Sequence, residues 1–224
     1  FPSHIRESLF DFCSDDTEHE AEQLTTENVF LADHYRCHPD IIRFSSEYFY
    51  ETKMGQSLVI HSKNKDSDNG YGIWWLNVTG SGHVNKKINE EEAHMCKKRA
   101  IEYCDKYPDK SIGIISPFRH QADFIKQMIP SQLKNRIKCD TVHSYQGDEE
   151  DIVLLSLVVS QDSHLSRADF INRNDYLINV AVTRAKDILC IIGDYNYCVN
   201  LKKGNRKTPL CLLAEYINEL DRVV

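Results

Sequence analysis

No apolar run in the 224-residue chain is long enough to cross a bilayer. The longest, Ile152 to Val159, falls far short of the roughly 20 residues that a spanning helix needs. The N-terminus lacks the basic, apolar and small-residue succession of a secretory signal. It also lacks an initiator methionine, and a start at Phe1 leads us to expect a piece of a longer protein. The eight cysteines (13, 37, 96, 104, 139, 190, 198 and 211) form no CxxC pair, and several fall inside apolar runs, where cysteine acts as a small hydrophobe. That favours reduced thiols in a cytoplasmic location, or a nuclear one in a eukaryote, over a disulfide framework. Positive charge is not in excess either. The net charge is −7, which argues against a basic coat protein for nucleic acid. The short basic patches at Lys86-Lys87, Lys97 to Arg99, Lys134 to Lys138 and Lys202 to Lys207 read as solvated faces.

With 41% hydrophobic and 27% charged residues, the composition is that of a folded globule. Residues 1–28 are polar, acidic around Asp15 to Glu22, and read as a lead-in arm. Residues 29–224 read as one domain, in which the Gly-, Ser-, Asn-, Asp- and Lys-rich stretch 55–72 is expected to be a mobile loop. No internal repeat is visible. From residue 73 onward, strand and helix patterns alternate. Strands are expected at Ile73–Val78, Ser111–Ser116, Ile137–Val142, Ile152–Val159 and Ile188–Gly193. Helices are expected after a cap at Asn89 with Ala93, Cys96, Ala100, Ile101 and Cys104 inward, then through Ala122 to Met128, over Asp175–Lys186 and over Leu210–Leu220. Strands that are apolar on both faces and alternate with helices imply a parallel β-sheet covered on both sides, an α/β fold. In such sheets ligands gather at the carboxyl ends of the strands. Asn77-Val78-Thr79 matches a glycosylation sequon, but at the end of a strand we read it as chance.

His34-Tyr35-Arg36-Cys37-His38-Pro39 places five polar or aromatic side chains on a turn before a helix that Pro39 and Asp40 start and Ile41, Ile42, Phe44, Tyr48 and Phe49 continue. Three readings fit the turn. His34, Cys37 and His38 are possible zinc ligands, but no second ligand pair follows at the usual spacing, so no metal is expected. A tyrosine on the core with a solvated arginine is the plain structural reading. The third is a nucleotide contact, with Tyr35 facing a base and Arg36 offering a fork to phosphate.

Three further segments are unusually polar for the strand ends where we place them: Ser116-Pro117-Phe118-Arg119-His120-Gln121, Thr141 through Asp151, and Asn179-Val180-Ala181-Val182-Thr183-Arg184-Ala185-Lys186. Each alone has a structural explanation. Together with the turn at Tyr35, in this order and at these separations, they resemble the second RecA-like domain of superfamily 1 helicases, in the 1B branch that contains the RNA helicase of nonsense-mediated decay. The resemblance runs from about Val29 to Gly193. It implies a RecA-like sheet of the P-loop NTPase type, serving as the C-terminal motor domain of an ATP-dependent DNA or RNA helicase or translocase.

The resemblance also implies roles. Tyr35 would stack on adenine, and Arg36 and Arg184 would reach the γ-phosphate, where a preplaced guanidinium neutralises charge that develops during phosphoryl transfer. Glu149 would accept from a ribose hydroxyl, while Gln146 and Gly147 hold the loop joining the ATP cleft to the track. Ser116, Thr141 and Ser144 would bind strand phosphates, with Phe118, Arg119 and His143 adding stacking or charge. The implied cofactors are ATP and Mg2+, and the partners are single-stranded DNA or RNA and an N-terminal RecA-like lobe of the same protein.

Departures narrow the expectation. Tyr176 and Leu177 stand where the family usually has two arginines, and Asp148 stands where a basic residue often follows the glycine. No GxxxxGKS/T phosphate loop and no acidic strand end for magnesium are present, so the chain alone is expected to be catalytically silent. The rival reading is a catalytically inactive RecA-like interaction module.

Overall fold

The strands form because β-branched and aliphatic residues crowd into short runs that end in turns. The computed structural model describes residues 30–63, 70–79, 88–145, 147–161, 165–173 and 175–224. The lead-in arm 1–28 lies outside them. Residues Ala32–Val224 form one compact unit.

Its centre is a five-stranded sheet of β3 (Gly72–Asn77), β4 (Ile112–Ser116), β5 (Ile137–Thr141), β6 (Glu150–Ser156) and β7 (Ala185–Gly193), in the order β3-β7-β6-β4-β5. Every pairing in it is parallel. The alternation of side chains divides the core into two layers. Ile73, Trp75, Ile115, Val153, Leu155, Leu189 and Ile191 face one layer. Leu76, Ile112, Ile114, Ile152, Leu154, Ile188, Cys190 and Ile192 face the other. Helices α3 (Glu90–Lys106) and α4 (Arg119–Met128) cover the second layer. The first is covered by α1 (Pro39–Ser45), α5 (Leu165–Arg173), α6 (Asp175–Val182) and α8 (Pro209–Glu219). The remaining short elements are a π-helical turn at Ser46–Glu51, a 3-10 turn at Ser131–Leu133, α2 (Thr52–Met54), α7 (Tyr195–Cys198) and the pairs β1 (Asp33–His34) with β2 (Val59–Ile60) and β8 (Lys202–Lys203) with β9 (Arg206–Lys207).

The outer edge of β3 is occupied by the last residues of the chain. Trp75 N–H donates to Arg222 O at 3.0 Å, Val224 N–H to Trp75 O at 2.8 Å, and Asn77 N–H to Val224 O at 2.8 Å.

Three expectations change. The segment 55–72 contains β2, which pairs with β1 because Leu58 and Ile60 pack on the core; residues 64–69 lie outside the described ones. The helix expected to reach Lys186 ends at Val182, since Ala185 and Lys186 already belong to β7, whose ladder with β6 displaces the last helical turn. Ile101 is only half-buried, although Ala93, Cys96, Ala100 and Cys104 do form the inner face of α3.

The start of α3 also holds a surprise. Asn89 caps it, accepting from Glu92 N–H at 3.1 Å, a bond typically worth about 1 kcal/mol. Glu92 does not return to the Asn89 backbone, whose N–H donates instead to Gln121 Oε1 at 2.9 Å. The Glu92 carboxylate is fully buried, and it accepts from Ser156 Oγ at 2.7 Å, from Asn89 Nδ2 at 3.0 Å and from Val158 N–H at 2.9 Å. Val158, just past the end of β6, has a φ of +57°, a conformation rare for a β-branched residue, and the carboxylate holds it there.

Candidate functional site

The turn before α1 is built from its own polar groups. His34 Nε2 accepts from Cys37 N–H at 2.9 Å, and His38 Nδ1 accepts from Asp40 N–H at 3.2 Å. His38 N–H donates to Lys186 O at 2.6 Å, tying the turn to β7. Both histidines thus serve the backbone. Tyr35 is left 69% exposed, stacked on His61 with ring centroids 4.6 Å apart and planes 10° apart. His61 Nε2 lies 2.6 Å from Asp33 Oδ1.

Arg36 reaches the far side of the turn. Its Nη1 lies 2.6 Å from Glu149 Oε2 and its Nη2 donates to Thr183 O at 3.2 Å. The other oxygen of Glu149 lies 2.8 Å from Lys186 Nζ. Arg184 is folded back on its own turn, with Nε donating to Val180 O at 2.9 Å, Nη1 to Asp148 O at 3.2 Å and Nη2 to Thr183 Oγ1 at 3.2 Å. The bond from Lys186, then Arg36, hold the Glu149 carboxyl below the usual carboxylate range. Glu149 in turn raises Lys186. Burial, then the neighbouring Arg36 charge, lowers Arg184. Burial pushes the Cys37 thiol up, so it is no thiolate nucleophile. A cleft of about 150 Å³ lined by Tyr35, Arg36, His38, Ser62, Lys63, Lys186 and Asp187 opens beside the cluster. That is smaller than the roughly 300 Å³ or more needed to enclose a whole drug-sized ligand.

This cluster corrects the expected placement. Glu149 immediately precedes β6 and Arg184 immediately precedes β7, so both lie at the amino ends of their strands. The third polar block leads into a strand instead of ending one.

The carboxyl ends of β4 and β5 carry the second group. Arg119 Nη2 donates to Ser144 Oγ at 2.9 Å and lies 3.5 Å from Thr141 Oγ1, and its Nη1 lies 2.7 Å from Asp140 Oδ1. The two hydroxyls of Thr141 and Ser144 are 3.0 Å apart. Burial opposes ionisation of Asp140, but the Thr141 amide, Ser144 and Arg119 together hold its carboxyl low. His143 and Ser144 are exposed beside this knot.

Ser116 and Phe118 do not present themselves as expected. Ser116 is buried, and its hydroxyl accepts from Phe118 N–H at 3.3 Å, so it shapes the turn from within. Phe118 is 5% exposed and packs on Phe170, with centroids 5.6 Å apart, as a core plug with no face free for a base. Phe170, 46% exposed, is the aromatic at this edge that the motifs did not flag.

Residues 141–150 connect the two groups. Thr141 pairs with Ser116 at the carboxyl end of β4, whereas Ile152 pairs with Ile112 at its amino end, so the chain returns along the sheet in a few residues. Buried Tyr145 crosses β4 at Gly113, where an added Cβ would stand 2.9 Å from the Tyr145 hydroxyl. The hydroxyl donates to Lys138 O at 3.0 Å. Gly147, at φ +96°, takes the sharp bend that follows. Gln146 lies outside the described residues.

The other departures also have places. Leu177 is core, and exposed Tyr176 lies under Lys53 Nζ, 4.7 Å from the ring centroid. The Asp148 carboxylate pairs with Lys138. Sequence reasoning assigned no role to Lys186, His61 or Asp140. A second cation directly after Arg184-Ala185 was the available signal for Lys186, and none marked His61.

A family profile described as an AAA domain matches residues 5–196. The chain belongs to this family. Among curated relatives, Helicase sen1 of Schizosaccharomyces pombe is 27% identical over 194 residues, covering 77% of this chain and 11% of that protein. DNA polymerase alpha-associated DNA helicase A of Saccharomyces cerevisiae is 27% identical over 190 residues, covering 74% and 27% respectively. Regulator of nonsense transcripts 1 of Dictyostelium discoideum is 29% identical over 195 residues, covering 79% and 14%. The chain thus spans about a tenth to a quarter of the length of these relatives. This AAA domain is a helicase-family C-terminal domain, the second lobe of superfamily 1, and its parallel sheet with helices on both faces is RecA-like. Among the described residues no helix is long and apolar enough to cross a membrane.

Proposed function

We propose that the AAA domain works as one half of an ATP-driven motor on single-stranded DNA or RNA, inside a longer intracellular protein whose N-terminal lobe supplies the phosphate loop and the magnesium ligands. The observation that carries this reading is the convergence of Arg36, Glu149, Arg184 and Lys186, from three distant segments, beside exposed Tyr35. A scaffold has no physical need to gather two guanidiniums on Thr183, Arg36 on its carbonyl and Arg184 on its hydroxyl, beside one carboxylate.

The residues fit ATP as a half-site. Tyr35 offers a ring backed by His61, Glu149 an ionised acceptor for a ribose hydroxyl, and Arg36 and Arg184 donors for terminal phosphate oxygens. Bound ATP supplies the phosphoryl group whose transfer drives the motor. Arg36 and Arg184 would turn from their protein acceptors to the terminal phosphate oxygens, and the Tyr145 crossing at Gly113 would link that cluster to Thr141, Ser144 and Arg119. Phosphate contacts at that end would grip a strand without reading its sequence.

The test is ATP hydrolysis by the full-length protein with and without single-stranded DNA or RNA, beside Arg184→Ala. Stimulated turnover that falls at least about 1000-fold in the variant is expected, the order seen for arginine fingers. Absence of turnover with every polynucleotide overturns the reading in favour of an interaction module.

A further inference from the structure

Resting on the nucleotide-site reading above, we propose that Lys186 is a positioning residue that keeps Glu149 in place for the ribose when Arg36 turns to phosphate. Glu149 has two carboxylate oxygens, and each is held by a different cation: Oε2 by Arg36 at 2.6 Å and Oε1 by Lys186 at 2.8 Å. In the nucleotide-site reading the Arg36 guanidinium swings from Glu149 to the terminal phosphate. Its second nitrogen is on Thr183 O, so departure toward phosphate breaks both contacts.

Departure of Arg36 changes the electrostatics of what remains. Glu149 loses one of its two counter-charges at the moment its carboxylate has to stay ionised and aimed. Lys186 is placed to supply that function alone. It lies in β7, the strand whose backbone at Lys186 O also accepts from His38 N–H at 2.6 Å, so the turn bearing Arg36 and the ammonium bearing Glu149 share one anchor. Lys186 also lines the cleft that Tyr35 and Arg36 line. Arg184 does not substitute, because in the same reading it too turns from Val180 O, Asp148 O and Thr183 Oγ1 to the terminal phosphate.

The competing explanation is an ordinary half-exposed surface ion pair, which would contribute little to anything. The two differ in what they predict for the ribose. If Lys186 holds Glu149 for a hydroxyl, its loss removes binding shared by ground and transition states. KM then rises and kcat holds. Preference for ATP over 2′-deoxy- and 3′-deoxy-ATP also shrinks, because the acceptor that reads the hydroxyl is no longer fixed.

The experiment measures strand-stimulated hydrolysis of ATP, 2′-deoxy-ATP and 3′-deoxy-ATP by full-length wild type, Lys186→Met and Lys186→Arg, with thermal unfolding as a folding control. The expected result is a several-fold rise in KM for ATP in Lys186→Met, kcat within about twofold, a collapsed ratio between ATP and at least one deoxy analogue, and recovery of both in Lys186→Arg. Unchanged KM and unchanged discrimination in a turning-over Lys186→Met enzyme overturns the positioning role and leaves the motor reading intact. A wild type without turnover on any strand overturns that reading and this inference with it.

Discussion

Tyr145 crosses β4 at the one residue of that strand without a side chain: a Cβ on Gly113 would stand 2.9 Å from its hydroxyl and 3.0 Å from Glu150 Cγ. The connection between the two polar clusters therefore lies directly on the sheet, and its path depends on an absent methyl group.

Gly113→Ala is expected to lift that connection and destabilise the domain by about 1–3 kcal/mol, the range for overpacking a core. Tyr145→Phe alone should cost about 1 kcal/mol through the lost bond to Lys138 O. Since the clash involves the hydroxyl, the pair should cost less than the sum. Urea unfolding of the three variants measures this, and strict additivity would contradict the crossing geometry.

Glu92 predicts a pH effect. Burial pushes its carboxyl up to about 7, against the bonds from Val158, Ser156 and Leu157 that favour the charged form. A group with a raised folded value adds stability that is fully present below its unfolded value near 4.5 and is lost as pH rises through about 7. The difference in unfolding free energy between wild type and Glu92→Gln should therefore shift against wild type by about 3 kcal/mol between pH 4 and pH 8. Glu92→Ala, which strands the donors on Asn89, Ser156 and Val158, should be destabilised by about 3 kcal/mol or more.

At the other polar cluster, Arg119→Ala is expected to weaken single-strand binding equally across sequences and to lower the salt slope by about one. Asp140→Asn should do so more mildly, since Asp140 aims the guanidinium without reaching a strand itself. Ser116→Ala should leave the salt slope unchanged and lower the melting temperature, because its hydroxyl faces the Phe118 amide. Titrations of a labelled oligonucleotide at several salt concentrations separate these outcomes.

Tyr35→Ala should raise KM for ATP several-fold, and Tyr35→Phe should not, because the expected contact is the face of the ring. His61→Ala, which removes the support on the other face, should have a smaller effect of the same kind. Steady-state kinetics with ATP and GTP checks both.

The alternating apolar runs that became β3 through β7 were legible because a parallel sheet buries both faces of a strand. The end of α6 was not: Asn179 to Lys186 carries a helix-like pattern throughout, and only pairing with β6 converts its last residues into strand. Tyr35, Arg36, Glu149 and Arg184 could be singled out by motif, and the fold brings Arg36, Glu149 and Arg184 together. The motif assigned Ser116 and Phe118 to the strand, whereas packing turned both inward, an outcome decided by neighbours such as Phe170 that local sequence does not name. Lys186 was visible as a cation, but its role depends on a partner 37 positions earlier.

The three bonds between β3 and residues 222–224 reach beyond the local packing at Trp75. An open parallel sheet offers two rows of unpaired amides, and exposed rows recruit strands from other molecules. Here residues 222–224 occupy the β3 row, and at the opposite border exposed Lys138 puts a charge on β5. Val224→Pro, which removes the amide that donates to Trp75 O, should therefore open this border to intermolecular pairing, so that light scattering rises with concentration before any loss of secondary structure is seen.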